Sequence, residues 1–124
     1  MALVREGSRL RVRIVDPIEG AKYTPSIDTL FQSAAKLAGK RVLGILLTGM
    51  GSDGKKGIAA IKAAGGKTIA EAEETAVIFG MPKEAIETGH IDLVCRLDEI
   101  AAEATAFAEE VSGSGTGIER PKRL

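Results

Sequence analysis

Asp53 sits in a glycine-rich stretch, Leu46-Leu47-Thr48-Gly49-Met50-Gly51-Ser52-Asp53-Gly54, that ends an apolar run. Gly49, Gly51 and Gly54 have the G-x-G-x-x-G spacing of a dinucleotide-binding turn, and Glu71 lies near the place, about 20 residues on, where an acid would bond a ribose hydroxyl. In that chemistry the amides of a helix N-terminus cradle a pyrophosphate. Asp53 opposes it, because its carboxylate would repel the phosphates. A second chemistry makes Asp53 the point of the loop: a carboxylate at the carboxyl end of a parallel strand, aimed into the crevice where it could orient an imidazole in a nucleophile–His–Asp triad. A third role is structural, with Asp53 capping the helix that begins at Gly54 or Lys55.

The other reactive residues are few. His90, in Glu87-Thr88-Gly89-His90, is the single histidine and stands in a turn before a strand. Ser52 adjoins Asp53, and Ser26 follows Pro25 as a helix cap; a self-contained triad would have to use one of these serines with His90 and Asp53. One His and one Cys without paired spacing make a poor metal site, and no metal or cofactor is expected. Cys95, within Ile91-Asp92-Leu93-Val94-Cys95-Arg96-Leu97, reads as a buried thiol.

These residues need elements to hold them. Arg9–Val15 alternates Arg with Leu10, Val12 and Ile14, and Gly7-Ser8 marks the turn of a hairpin over 3–15. Ser26 caps a helix over 27–38 that Gly39 stops. Residues 42–48 are apolar on both faces, as a buried parallel strand is. A helix over 55–64, a strand over 67–72, a short helix or turn over 73–79, a helix over 81–89 with Pro82 in its first turn, and a strand over 91–97 follow. Asp98 can cap a last helix carrying Ile100, Ala104, Phe107 and Val111. The alternation implies an α/β layered fold with a mainly parallel sheet. Residues 1–111 form one domain, and 112–124, opening with Ser-Gly-Ser-Gly-Thr-Gly, have the composition of a flexible tail.

Composition excludes several classes. Lys plus Arg and Asp plus Glu both number 17 in 124 residues, so no global charge selects nucleic acid or an acidic membrane. The local arginines Arg5, Arg9, Arg11 and Arg13, interrupted by Glu6 and Asp16, read as a solvated strand face. With no Trp and four other aromatics, a base-stacking platform is not expected. One cysteine, no signal peptide and no long apolar span point to a cytoplasmic setting without membrane insertion.

Three motifs resemble the later part of the CheB-type protein-glutamate methylesterase domain: Pro25-Ser26-Ile27-Asp28, Leu47-Thr48-Gly49-Met50-Gly51-Ser52-Asp53-Gly54 and Phe79-Gly80-Met81-Pro82, in order from Tyr23 to Ala101, with the hairpin before them. The resemblance implies a Rossmann-like fold, truncated relative to the family, and removal of methyl groups from chemoreceptor glutamates by a Ser-His-Asp triad. It implies that Asp53 matches the triad aspartate and Met50 the oxyanion-hole backbone position. The family's serine and histidine lie upstream of the hairpin, on units these 124 residues do not contain, as do the receiver domain and its linker. The chain is therefore expected to be inactive alone. It would be a chemotaxis module that binds a receptor or another signalling protein, or half of a split esterase completed in trans; the dinucleotide module is the remaining alternative. Where the family often has Gln, Glu71 is expected to add a negative charge near the crevice. Missing leading strands would expose a sheet edge and the apolar faces of Ile27, Phe31 and Ile58, which a homodimer or another chain would cover.

Overall fold

A computed structural model describes residues 1–15 and 26–113; the expected tail falls mainly on 114–124, outside the described residues. The hairpin is present as β1 (Ala2–Glu6) and β2 (Arg9–Arg13), antiparallel about Gly7-Ser8. Next come α1 (Ile27–Ala38), a single 3-10 turn over Gly39–Arg41, β3 (Leu43–Leu46), α2 (Lys55–Ala63), β4 (Lys67–Glu71), α3 (Met81–Glu87), β5 (Leu93–Cys95) and α4 (Leu97–Val111). Strands β3, β4 and β5 form a parallel sheet in that order, with Leu46 opposite Ala70 and Glu71 opposite Cys95. This is the α/β architecture expected, with strand-turn-helix units feeding a parallel sheet.

Each sheet face has its own core. Leu46, Ile58 and Ala85 pack with Ile27, Phe31 and Ile91 where α1, α2 and α3 lie against the sheet. Ile69, Cys95 and Ile100 pack with Leu43, Ile45 and Leu93 beneath α4. The period of two along β3 sends Leu46 to the first core and Ile45 to the second, which is why its sequence is apolar throughout.

Several expectations are corrected. The faces of Ile27, Phe31 and Ile58 are not left open: Ile58 is fully buried and the other two pack against it. Among the described residues the exposed large apolar side chains are instead Met1, Leu10, Val12 and Ile14 on or beside the hairpin, Val94 and Leu97 at the far edge, and Leu47, Met50, Val77 and Ile78 at the carboxyl end of the sheet. The alternation in β2 thus predicts a covered face that the described residues do not cover, because the hairpin meets α1 through β1, where Ser33 Oγ accepts from the Leu3 amide at 2.7 Å. Asp98 is not the α4 cap. Arg96 occupies that position, and its amide donates to the Glu99 carboxylate at 2.9 Å, so the side chain three residues on closes the first turn.

Candidate functional site

The loop after β3 begins where the sheet splays. Leu46 still pairs with β4, but two residues later the Thr48 amide donates to Glu71 Oε1 at 2.9 Å instead of to a β4 carbonyl. Thr48 and Ile78 exchange hydrogen bonds, with Ile78 N donating to Thr48 Oγ1 at 2.7 Å and Thr48 Oγ1 to Ile78 O at 3.2 Å. Gly49 then forms a parallel bridge to Phe79. Its amide donates to Ile78 O at 2.9 Å, and its carbonyl accepts from Gly80 at 3.1 Å and Met81 at 2.8 Å. Gly80 is required by close approach: a Cβ there would lie 2.6 Å from Gly49 O and 3.1 Å from Met50 Cα. The loop backbone is therefore fastened to the 78–81 segment. Met50 follows the fastened pair with its side chain 79% exposed, and among the described residues no carbonyl accepts its N–H.

Asp53 is 6% exposed and faces the start of α1. Its Oδ2 accepts from Ile27 N at 2.7 Å, and its Oδ1 from Asp28 N at 3.0 Å and Ser26 Oγ at 3.3 Å. Ser26 is also the α1 cap as expected, accepting from Thr29 N at 3.2 Å. The favour is returned across the junction. Asp28 Oδ1 accepts from Gly54 N at 3.0 Å and Gly57 N at 2.7 Å, the open amides of α2. Gly54, at φ +106°, makes the turn into α2 and has no side chain to cap it, so Asp28 supplies the acceptor. Two of the motifs singled out in the sequence are thus one structure: each aspartate holds the N-terminus of the other's helix. The expectation that Asp53 caps α2 is corrected; it caps α1.

This geometry removes the dinucleotide arrangement. The α2 amides that would cradle a pyrophosphate already hold the Asp28 carboxylate, and a second anion would meet both aspartates. Glu71 is 1% exposed, with Oε1 on the Thr48 amide and Oε2 accepting from Thr75 Oγ1 at 2.8 Å, so it neither reaches a ribose nor adds charge to the crevice. Sequence reasoning missed this sealed role; the available signal was its place as the last residue of a buried strand.

His90 is at the wrong end of the sheet. Its carbonyl accepts from Thr68 Oγ1 at the start of β4, whereas Asp53 follows the end of β3; a strand of this length separates the two ends by roughly 13 Å. No triad of Ser26 or Ser52 with His90 and Asp53 forms. Near His90, the Asp92 carboxylate accepts from Thr68 N at 2.9 Å and pairs with Lys62. Burial pushes its pKa up, but the Lys62 ammonium and the Thr68 donors outweigh this and hold it below the ordinary 3.8. Among the described residues no group of three His, Cys, Asp or Glu could hold a metal, and no helix is long and apolar enough to cross a membrane.

Comparison with known proteins bears on the family and the fold. Residues 1–104 match the family described as CheB methylesterase. The chain is 55% identical over 103 residues to protein-glutamate methylesterase/protein-glutamine glutaminase 3 of Geobacter sulfurreducens, covering 83% of this chain and 28% of that protein. Protein-glutamate methylesterase/protein-glutamine glutaminase 6 of Anaeromyxobacter dehalogenans is 55% identical over 94 residues, covering 76% and 27%. The chain thus spans little more than a quarter of these relatives. The CheB methylesterase catalytic domain of Thermotoga maritima superposes with a TM-score of 0.74 at 33% identity, over 88% of this chain and 56% of that one. With most of its length matched by the family, and the same fold in a solved catalytic domain, the chain belongs to the CheB methylesterase family.

Proposed function

We propose that these residues carry the aspartate and the oxyanion-binding backbone of a protein-glutamate methylesterase site, and that they do not hydrolyse esters without a serine and a histidine from outside the chain. The observation that carries this is the state of Asp53. A carboxylate offers about four acceptor positions. Among the described residues three are used, by Ile27 N, Asp28 N and Ser26 Oγ, which leaves one on Oδ2 for an imidazole N–H. A buried carboxylate fixed by main-chain donors is suited to hold a histidine in one tautomer and to stabilise the imidazolium that forms.

The reaction follows from those parts. The external histidine takes the serine proton as Oγ attacks the ester carbonyl of a methylated glutamate. The developing oxyanion meets the Met50 N–H, and methanol departs with the proton from the imidazolium. Water then repeats the sequence and releases the glutamate carboxylate. The substrate is a chemoreceptor glutamate ester or another signalling protein bearing one. The open side of β3, which among the described residues pairs only with β4, is where the segment bearing Ser and His adds to the sheet. Within one copy His90, the single histidine, cannot complete the triad, because it lies at the opposite sheet end from Asp53.

Methylated receptor, with release of methanol as the readout, tests this. The purified chain should release none, and adding a Ser- and His-bearing leading segment of the family should restore release that Asp53→Asn removes. Turnover by the chain alone overturns the proposal.

A further inference from the structure

Glu71 is buried and lines neither the Asp53 cap nor the exposed Met50 side chain, yet the loop that carries Met50 hangs from it. We propose that Glu71 is the positioning residue for the oxyanion-hole backbone, an inference that rests on the triad reading above. Glu71 is itself seated in the sheet: it ends β4, pairs with Cys95 of β5, and is 1% exposed. Its two carboxylate oxygens reach in different directions, Oε1 to the Thr48 amide at 2.9 Å and Oε2 to the Thr75 hydroxyl at 2.8 Å. Thr75 Oγ1 in turn accepts from Leu97 N at 3.0 Å, which ties the carboxylate to the start of α4.

The two arms of Glu71 close a ring. Thr48 is bonded to Ile78, Gly49 to Ile78, Gly80 and Met81, and residues 75–81 return to Glu71 through Thr75. Met50 is the next residue after this ring, so the direction of its N–H depends on where Thr48 and Gly49 are pinned. The ladder cannot pin Thr48, because β3 has already left β4. Among the described residues it is the Glu71 side chain that joins the Thr48 amide to β4. An oxyanion donor acts through placement, and a misplacement of about 1 Å can cost about 10²-fold in rate.

A glutamine can do the same work. Its carbonyl oxygen would accept the Thr48 N–H and its amide would donate to the Thr75 hydroxyl, which has acceptor capacity. Alanine can do neither. The test therefore compares Glu71→Gln with Glu71→Ala in two measurements.

The first is amide hydrogen exchange and 15N shifts on the chain itself. In Glu71→Ala the Thr48 amide should exchange at least roughly ten-fold faster and Met50 should shift, while Ile58 and Ile61 of the core keep their protection. Glu71→Gln should resemble the parent. The second is ester hydrolysis by the chain assembled with the Ser- and His-bearing segment. Here Glu71→Ala should lower kcat by about 10²-fold with KM little changed, and Glu71→Gln should restore it. Unchanged Thr48 and Met50 amides in Glu71→Ala overturn the proposal. So does an active assembly whose kcat is indifferent to that change, and in that case the triad reading stands. A parent assembly with no turnover overturns the triad reading and the catalytic role of Glu71 with it, whatever the amides show.

Discussion

Replacing Asp53 should unsettle the fold before it says anything about catalysis. Asp53→Ala removes the acceptor of two main-chain N–H groups and one hydroxyl at the entry to α1. Hydrogen bonds to a charged acceptor contribute about 1.5–3 kcal/mol each, and losing a helix cap costs about 0.5–2 kcal/mol. The two amides belong to one helix end and regain some water, so the sum is smaller than the parts, about 3 kcal/mol. Asp28→Ala frees the Gly54 and Gly57 amides of α2 and should cost about 2 kcal/mol by the same reasoning.

Because each aspartate holds the other's helix, the two losses overlap. Once one cap is gone the α1–α2 junction loosens, and less remains for the second change to break. The double variant should fall short of additivity by at least about 1 kcal/mol. Since an additive loss of about 5 kcal/mol approaches the whole stability of a small domain, the Asn pair, which keeps one acceptor oxygen per site, provides a milder cycle. Urea unfolding followed by far-UV circular dichroism, extrapolated linearly to water, measures all four corners. Additivity within about 0.5 kcal/mol, or a loss under about 1 kcal/mol for Asp53→Ala, would refute the reciprocal cap. The consequence for enzymology is direct: an inactive Asp53 variant reports on the triad only if its fold is intact at the assay temperature.

Other outcomes follow from the same structure. Asp92→Ala leaves the buried Thr68 amide without its acceptor and should cost about 2 kcal/mol at neutral pH. The folded Asp92 pKa lies below its ordinary value of 3.8, so its contribution is complete above that pH and is lost as the pH falls through the lowered folded value. Acid titration of stability should therefore show the parent and Asp92→Ala converging below about pH 4, and parallel curves would be evidence against the assignment. Gly80→Ala drives a methyl into Gly49 O and Met50 Cα and should cost about 1–3 kcal/mol, with amide shifts concentrated at 48–51; a neutral effect would mean that the loop is not seated on Gly80. Cys95 is 6% exposed, so aromatic disulfide reagents should modify it only as fast as the chain opens, with the rate rising in urea; rapid reaction in buffer would contradict its burial.

The parts of the fold that local chemistry decides were legible. Ser26 and Gly39 bracket α1 at the residues the capping rules select, and the unbroken apolar run around β3 announces a strand covered on both faces. Contacts that join distant segments were not. Asp28 and Asp53 are 25 residues apart; Asp53 taken alone looks like an ordinary cap for the helix after it, and Asp28 like a first-turn residue behind the Ser26 cap. A clue was present in Gly54, an N-terminal position without a side chain, whose amide needs an acceptor from elsewhere. The β2 alternation misled in the opposite direction: a period of two reports that a face suits burial, and whether anything covers it depends on residues outside the pattern. Likewise Glu71 read as a charge near the crevice because sequence places a residue on a strand without saying which donors surround it.

The glycines of the loop after β3 bear on both the resemblance to a dinucleotide fold and the departure from it. The same turn that can wrap a pyrophosphate around a helix N-terminus here wraps two helix N-termini around two aspartates. An anion site needs open amides and low local negative charge, and Asp28 removes both. What remains at the carboxyl end of the sheet, among the described residues, is a carboxylate with one acceptor position unclaimed and a neighbouring backbone with an N–H to spare. Those are complementary needs, one for a donor and one for an acceptor. A histidine and a tetrahedral oxyanion would meet them, which is how a cradle filled by protein carboxylates suits the acyl transfer proposed above better than nucleotide binding.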